Sequence, residues 1–137
     1  MYTIGTVVKF ETAHRQKDDP SKCGYLHGHN WKAKIEITSK KLGPLGYVID
    51  FKVIKDVINF KFDHRTLLSK DDVELIDALE KANQKIAIIM GGNPTCEVLA
   101  KSLLDSMVNL FNDPRDLVLV KVRLYENDDS FAEVFYP

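Results

Sequence analysis

The chain opens on alternation. In "YTIGTVVKFET", Tyr2, Ile4, Thr6, Val8 and Phe10 fall on one face, the period-2 pattern of a half-buried strand. "WKAKIEITSK" repeats it, with Trp31, Ala33, Ile35 and Ile37 facing one way and Lys32, Lys34, Glu36 and Thr38 the other. "LGPLG" at 42–46 supplies turn chemistry. The period then changes. "DFKVIKDVINF" places Phe51, Ile54, Val57 and Ile58 on one helical stripe, and Val73, Ile76 and Leu79 predict a short helix over 71–82. "GGNPTCEVLAKSLLDSMVNLF" predicts a longer helix capped at Asn93 or Thr95, with Leu99, Leu103, Met107 and Leu110 buried and "DPRD" at its end. "LVLVKVRLYE" and "FAEVFY" read as two strands joined by "NDDS". Strand pairs flanking a block of helices predict an α+β domain spanning 1–137, the helices covering one sheet face.

The remaining bulk properties narrow the class. The apolar fraction of 45% and charged fraction of 28% are those of a soluble globular domain, and a formal charge of −1 gives no reason to expect nucleic acid or acidic membranes as partners. The longest apolar run, "IAIIM", is too short for a bilayer, and the first ten residues read as strand rather than as a leader. Cys23 and Cys96 alone make a disulfide framework improbable, so a cytoplasmic location is expected, with Cys23 left free as a thiol.

Candidate chemistry is concentrated in "CGYLHGHN" at 23–30. On a strand, His27 and His29 project to the same face, roughly 7 Å apart along the chain, and Gly28 between them offers no obstruction. His14 follows the first strand on the parity of Phe10, so a hairpin would bring it to the same place. Three neutral imidazoles with an open fourth position form the pattern of a catalytic zinc. Cys23 has three readings on spacing alone: a fourth ligand closing a structural site, a thiolate acting as nucleophile or base, or an inert apolar residue. Asp63 and His64, adjacent in "FDHR", could form an oriented acid/base pair or point apart. Glu126 ends an apolar strand and, taken alone, reads as solvated.

In order along the chain, "FETAH" (10–14), "CGYLHGHNW" (23–31), "GYVIDFKVIK" (46–55), "FDHRTLL" (62–68), "NPTCEVLA" (93–100) and "YE" (125–126) resemble the 6-pyruvoyl-tetrahydropterin synthase family. The three residues between Cys23 and His27 resemble its bacterial and archaeal branch, the 6-carboxy-tetrahydropterin synthases. The resemblance implies a T-fold: a four-stranded antiparallel sheet backed by two long helices, assembled into a barrel, usually a hexamer built as a dimer of trimers, with active sites where subunits meet. It implies His14, His27 and His29 as zinc ligands, Cys23 as the catalytic cysteine, Asp63 and His64 as its partner dyad, and Glu126 as the pterin anchor. Thr95 lies in a second pterin-contacting motif. The implied substrate is 7,8-dihydroneopterin triphosphate, with Arg15, Lys17 and Lys22 as the cations nearest the site. Alternatives of other classes are a non-catalytic zinc module in which Cys23 joins the three histidines, and a zinc hydrolase that has no use for Glu126 or Thr95. Phe62, Leu68, Asn127 and the Gly91-Gly92 pair depart from the family pattern and bear on substrate selectivity.

Overall fold

A computed structural model describes all 137 residues. Strands β1 (Tyr2–His14) and β2 (His27–Ser39) pair antiparallel along their whole length, from Tyr2 opposite Ser39 to His14 opposite His27. Helix α1 (Phe51–Phe62) follows, then the short strand β3 (Thr66–Ser69), helix α2 (Val73–Lys81), strand β4 (Ile86–Ile89), helix α3 (Cys96–Val108), and the hairpin of β5 (Leu117–Tyr125) and β6 (Phe131–Tyr136). The sheet has six strands in the order β4-β3-β1-β2-β5-β6. The expected four antiparallel strands are therefore extended by a parallel β3–β4 pair, joined to β1 only at Ala13 and His14. Four-residue apolar runs such as "TLLS" and "IAII" carry too little periodicity to be separated from helix or loop by sequence.

Local chemistry sets the helix ends. Asp50 Oδ1 accepts the Lys52 N–H at 2.9 Å to cap α1, and Thr95 Oγ1 accepts the Val98 N–H at 3.2 Å to cap α3. Ile54, Ile58 and Phe62, at i and i+4 spacing, bury the inner face of α1, while Phe51 stays exposed. Leu99, Ala100, Leu103, Leu104 and Met107 do the same for α3. Both helices lie on the face formed by Val8, Phe10, Trp31, Ala33, Ile35, Ile37, Val120, Val122 and Leu124. α2 buries no side chain of its own: Ile76 and Leu79 are half-buried and Val73 is exposed. The opposite sheet face has no helix over it and carries Val7, Lys9, Lys32, Lys34, Arg123 and Tyr125. No helix is long and apolar enough to cross a membrane.

The departures from the family pattern have local explanations. Leu68 is a fully buried residue of β3. Asn127 Oδ1 accepts the N–H groups of Asp129 and Ser130, closing the β5–β6 turn. Gly92 adopts φ +121°, a conformation that disfavours any side chain, in the turn after β4.

Candidate functional site

The register of β1 and β2 builds the site. Because His14 pairs with His27 and Thr12 with His29, all three imidazoles emerge on the helix-covered face, at the end of the strand pair. Their ring centroids are 4.7, 5.2 and 4.9 Å apart. The wall beneath them is aromatic. Trp31 meets His14 and His29 edge-on at 5.1 and 5.5 Å, and its indole N–H donates to the Thr12 carbonyl at 3.2 Å. Phe10 stacks on Trp31 and tilts against Phe62, so the site grows directly out of the core.

Backbone carbonyls fix two of the rings. His14 Nδ1 donates to the Pro94 carbonyl at 2.7 Å, and His27 Nδ1 donates to the Tyr25 carbonyl at 2.6 Å. A carbonyl only accepts, so Nδ1 carries the proton in each and Nε2 presents a lone pair. His14 Nε2 and His29 Nε2 are buried without a hydrogen-bond partner. Glu126 adds a carboxylate: Oε1 lies 3.4 Å from His14 Nε2 and 2.9 Å from His29 Nε2. The shorter approach meets the distance of a hydrogen bond but not its alignment, which is why His29 Nε2 still counts as orphaned. One donor atom from each of His14, His27, His29 and Glu126 falls within 4.8 Å of all the others.

Burial pushes His14 below the ordinary imidazole value, outweighing its bond to Pro94 and its attraction to Glu126. Burial also lowers His29, against the pull of Glu126. The His14 ring, with its proton on Nδ1, thus directs a lone pair toward the Glu126 carboxylate, an arrangement that a cation at the centre resolves. Three imidazole nitrogens suit a borderline ion such as zinc and leave a fourth position open, with the Glu126 carboxylate beside it.

The other expected residues are distributed around this centre. Glu126, expected at the pterin, joins the histidine group. A parity signal for this existed in the sequence, since Glu126 continues the inward face of Val122 and Leu124. Cys23 is not in the donor group, so the reading that closed the site with a fourth cysteine ligand does not fit this geometry. It is a free, half-buried thiol in a single 3-10 turn at Lys22–Gly24, at the mouth of the β1–β2 loop. The second cysteine differs: the Cys96 thiol donates to the Leu124 carbonyl at 3.1 Å, and burial pushes it up to about 11. Thr95 caps α3, one residue after the carbonyl that holds His14.

Asp63 and His64 do form a pair, with His64 Nδ1 2.9 Å from Asp63 Oδ1. They dock on the outer edge of β1, where Asp63 Oδ1 accepts the Glu11 N–H at 3.0 Å and the His64 N–H donates to the Glu11 carbonyl at 2.8 Å. His64 is held there at φ +57°. The dyad stands outside the donor group; His64, without Asp63, shares with His29, Gly28 and Lys85 the wall of a polar cavity of about 480 Å³. Of the nearby cations, Arg15 is bound to Asp72 and Lys17 to Asp18, whereas Lys22 has no carboxylate partner.

Comparison with known proteins agrees with this geometry. A family model described as 6-pyruvoyl tetrahydropterin synthase matches residues 3–136. The 6-carboxy-5,6,7,8-tetrahydropterin synthase of Rickettsia conorii is 33% identical over 131 residues, covering 93% of this chain and 95% of that protein. The protein of the same name from Haemophilus influenzae is 27% identical over 143 residues, covering 97% of this chain and 98% of its own. Among solved structures, an uncharacterized protein of Wolinella succinogenes superposes with a TM-score of 0.75 at 23% identity, covering 99% of this chain and 98% of that one. A catalytic-residue mutant of Plasmodium vivax 6-pyruvoyltetrahydropterin synthase superposes with a TM-score of 0.67 at 17% identity, covering 99% of both chains. The architecture is the T-fold of these neighbours, and the match runs from the first strand to the last. The chain belongs to the 6-pyruvoyl tetrahydropterin synthase family.

Proposed function

We propose that this chain is a zinc-dependent 6-carboxy-5,6,7,8-tetrahydropterin synthase. It would convert 7,8-dihydroneopterin triphosphate to 6-carboxy-tetrahydropterin with release of acetaldehyde and triphosphate, on a route to queuosine- or archaeosine-type 7-deazaguanines. The observation that carries the reading is the group of orphaned imidazole nitrogens at the end of the β1–β2 pair, in a chain whose relatives bear that name over nearly their whole length.

His14, His27 and His29 are the zinc ligands in this reading. Zinc bound there supplies a Lewis acid to the neighbouring hydroxyls of the substrate side chain. Cys23, held outside the donor group, moves protons at the side-chain carbons as a general base. Asp63 fixes the His64 ring through Nδ1 and leaves Nε2 to exchange the second proton. Glu126 accepts two hydrogen bonds from the aminopyrimidine edge of the pterin, a planar match that a carboxylate makes well. The Thr95 oxygen already accepts from Val98, so its hydroxyl proton is the part free to reach the pterin. Lys22, unpaired with any acid, is assigned to the triphosphate.

The same proposal includes a cytoplasmic homo-oligomer, a hexamer arranged as a dimer of trimers. Free sheet edges support it: β4 and β6 have no strand beyond them, and β1 is paired outward only at Ala13 and His14. Unpaired edges of this length invite another copy. The position of the Asp63–His64 pair on the outer edge of β1 supports its use by a site shared with a neighbouring copy.

The test is incubation of the zinc-loaded protein with dihydroneopterin triphosphate, with the pterin identified by mass and acetaldehyde assayed. 6-Carboxy-tetrahydropterin with acetaldehyde is the expected outcome. Triphosphate release without acetaldehyde would give the 6-pyruvoyl product instead, and no turnover would refute the reading.

A further inference from the structure

The segment between β1 and the Cys23 turn is gripped by two residues far away in sequence. Arg15 Nε donates to Asp72 Oδ2 at 2.6 Å, and Arg15 Nη2 donates to Asp72 Oδ1. Asp72 is 1% exposed and occupies the N-cap of α2, yet its side chain makes no cap hydrogen bond; both oxygens accept from the Arg15 guanidinium instead. Capping by Asp stabilises a helix start, and a buried carboxylate is costly to desolvate. α2 forgoes the first and bears the second to hold one arginine next to His14. Two residues on, the Asn93 amide brackets the Lys17 peptide: Oδ1 accepts its N–H and Nδ2 donates to its carbonyl, each at 3.2 Å. Between these grips the Gln16 N–H donates to the Cys23 carbonyl at 2.9 Å, and the Gln16 carbonyl accepts from Asp19 at 3.2 Å. Beyond them, Ser21 Oγ accepts the Cys23 N–H at 3.2 Å, and a Cβ at Gly24 would collide with the Asp19 carbonyl oxygen.

We propose that Asp72 and Asn93 are positioning residues: by fixing Arg15 and Lys17 on either side of Gln16, they set the peptide on which Cys23 is seated. The inference rests on the role given to Cys23 above. It also gives the β3–α2–β4 unit, whose helix buries no side chain beyond its cap, a purpose as an anchor for the loop rather than as part of the core. The His14 ring is held separately, by the Pro94 carbonyl, so metal binding and thiol placement are separable.

The experiment uses the full-length, zinc-loaded protein and its Asp72→Asn, Asn93→Ala and Arg15→Lys variants. Site-resolved alkylation of Cys23 by iodoacetamide is read by peptide mass spectrometry, beside kcat, KM and bound metal. Each variant is expected to keep its metal and its KM, to change the Cys23 alkylation rate severalfold, and to lower kcat about 10- to 100-fold, the scale of a misplaced reacting group. Arg15→Lys loosens the bidentate grip without leaving the buried carboxylate unpaired, so it remains informative where Asp72→Asn fails to fold. An Arg15→Met/Asp72→Leu double variant, which replaces the pair by apolar side chains, should regain thermal stability but not kcat. Wild-type alkylation and kcat in the single variants would overturn the proposal, as would recovery of kcat together with stability in the double variant. Alkylation needs no substrate, so it decides the point even where the protein fails to turn over dihydroneopterin triphosphate.

Discussion

In the zinc-dependent reading, chelation should lower the melting temperature by an amount that follows from chain length and metal affinity. A ligand that binds only the folded state adds RT ln(1 + [L]/Kd), about 2.7 kcal/mol when free metal is at about 100 Kd. At about 2.1 cal/mol/K per residue, 137 residues unfold with an entropy of about 290 cal/mol/K. The ratio is about 9 °C, an upward shift on adding zinc to apo-protein at fixed protomer concentration. His27→Ala is the substitution that isolates the ligand effect. His14 is fully buried and bonded to Pro94, so its removal damages the fold with or without metal, whereas His27 is part-exposed at the start of β2. The assay is a pair of thermal melts, with and without zinc, on the wild type and on His27→Ala, with bound metal counted by mass spectrometry. The apo melts of the two proteins should lie close together and the zinc shift should be absent from the variant. A full shift in His27→Ala, or no shift in the wild type, would refute the assignment of this histidine group as the metal centre.

Cys23→Ala should keep a full complement of metal and lose turnover; loss of metal together with activity would make the cysteine a ligand. Glu126→Gln should leave metal content near wild type and raise KM for the pterin, whereas a large fall in metal affinity would place the carboxylate on the ion. Mixing subunits of Cys23→Ala with subunits of His64→Ala should restore part of the activity that each lacks alone, and homogeneous inactivity of the mixtures would confine each site to one chain. For the apo-protein, His14 and His29 titrate below their unfolded value of 6.5, so as pH falls past about 6.5 the unfolded chain takes up protons first. Stability should therefore drop between about pH 7 and 5, by at most about 1.4 kcal/mol per histidine per pH unit. Urea midpoints that stay flat over this range would contradict the burial of the two rings.

The legible and illegible parts of this molecule divide on physical grounds. The three histidines were readable because strand periodicity fixes side-chain direction, and an uninterrupted hairpin converts that parity into proximity. The helix stripes through Ile54 and Ile58 and through Leu99, Leu103 and Met107 were readable for the corresponding reason at a period of 3.6. The first strand was expected over "YTIGTVVKFET", with His14 just past its end, and runs through His14, since "AH" has no apolar period of its own and is held by pairing. β3 and β4 were missed, being too short for their apolar runs to show a period. The carbonyls of Pro94 and Tyr25, which set the two imidazole tautomers, could not be found at all, because a backbone acceptor has no residue type to announce it. Asp72 was hidden differently, as an acid at a helix start that reads as an ordinary cap and only the fold reveals as buried.

The shared parity of the candidate ligands and the core has a consequence for how the chain finds its pairing. His27 and His29 lie on the same face of β2 as Trp31, Ala33, Ile35 and Ile37, and His14 lies on the same face of β1 as Val8 and Phe10. A slip of one residue between the strands would turn the apolar row and the imidazoles of one strand to the opposite side together. A slip of two would keep the apolar row inside but carry His14 about 7 Å from its partners. Hydrophobic burial alone discriminates weakly against the second error, because apolar side chains still meet apolar side chains. A metal ion discriminates strongly, since it needs all three nitrogens at one point. Zinc captured during folding would thus act as a proofreader of strand alignment before any substrate arrives.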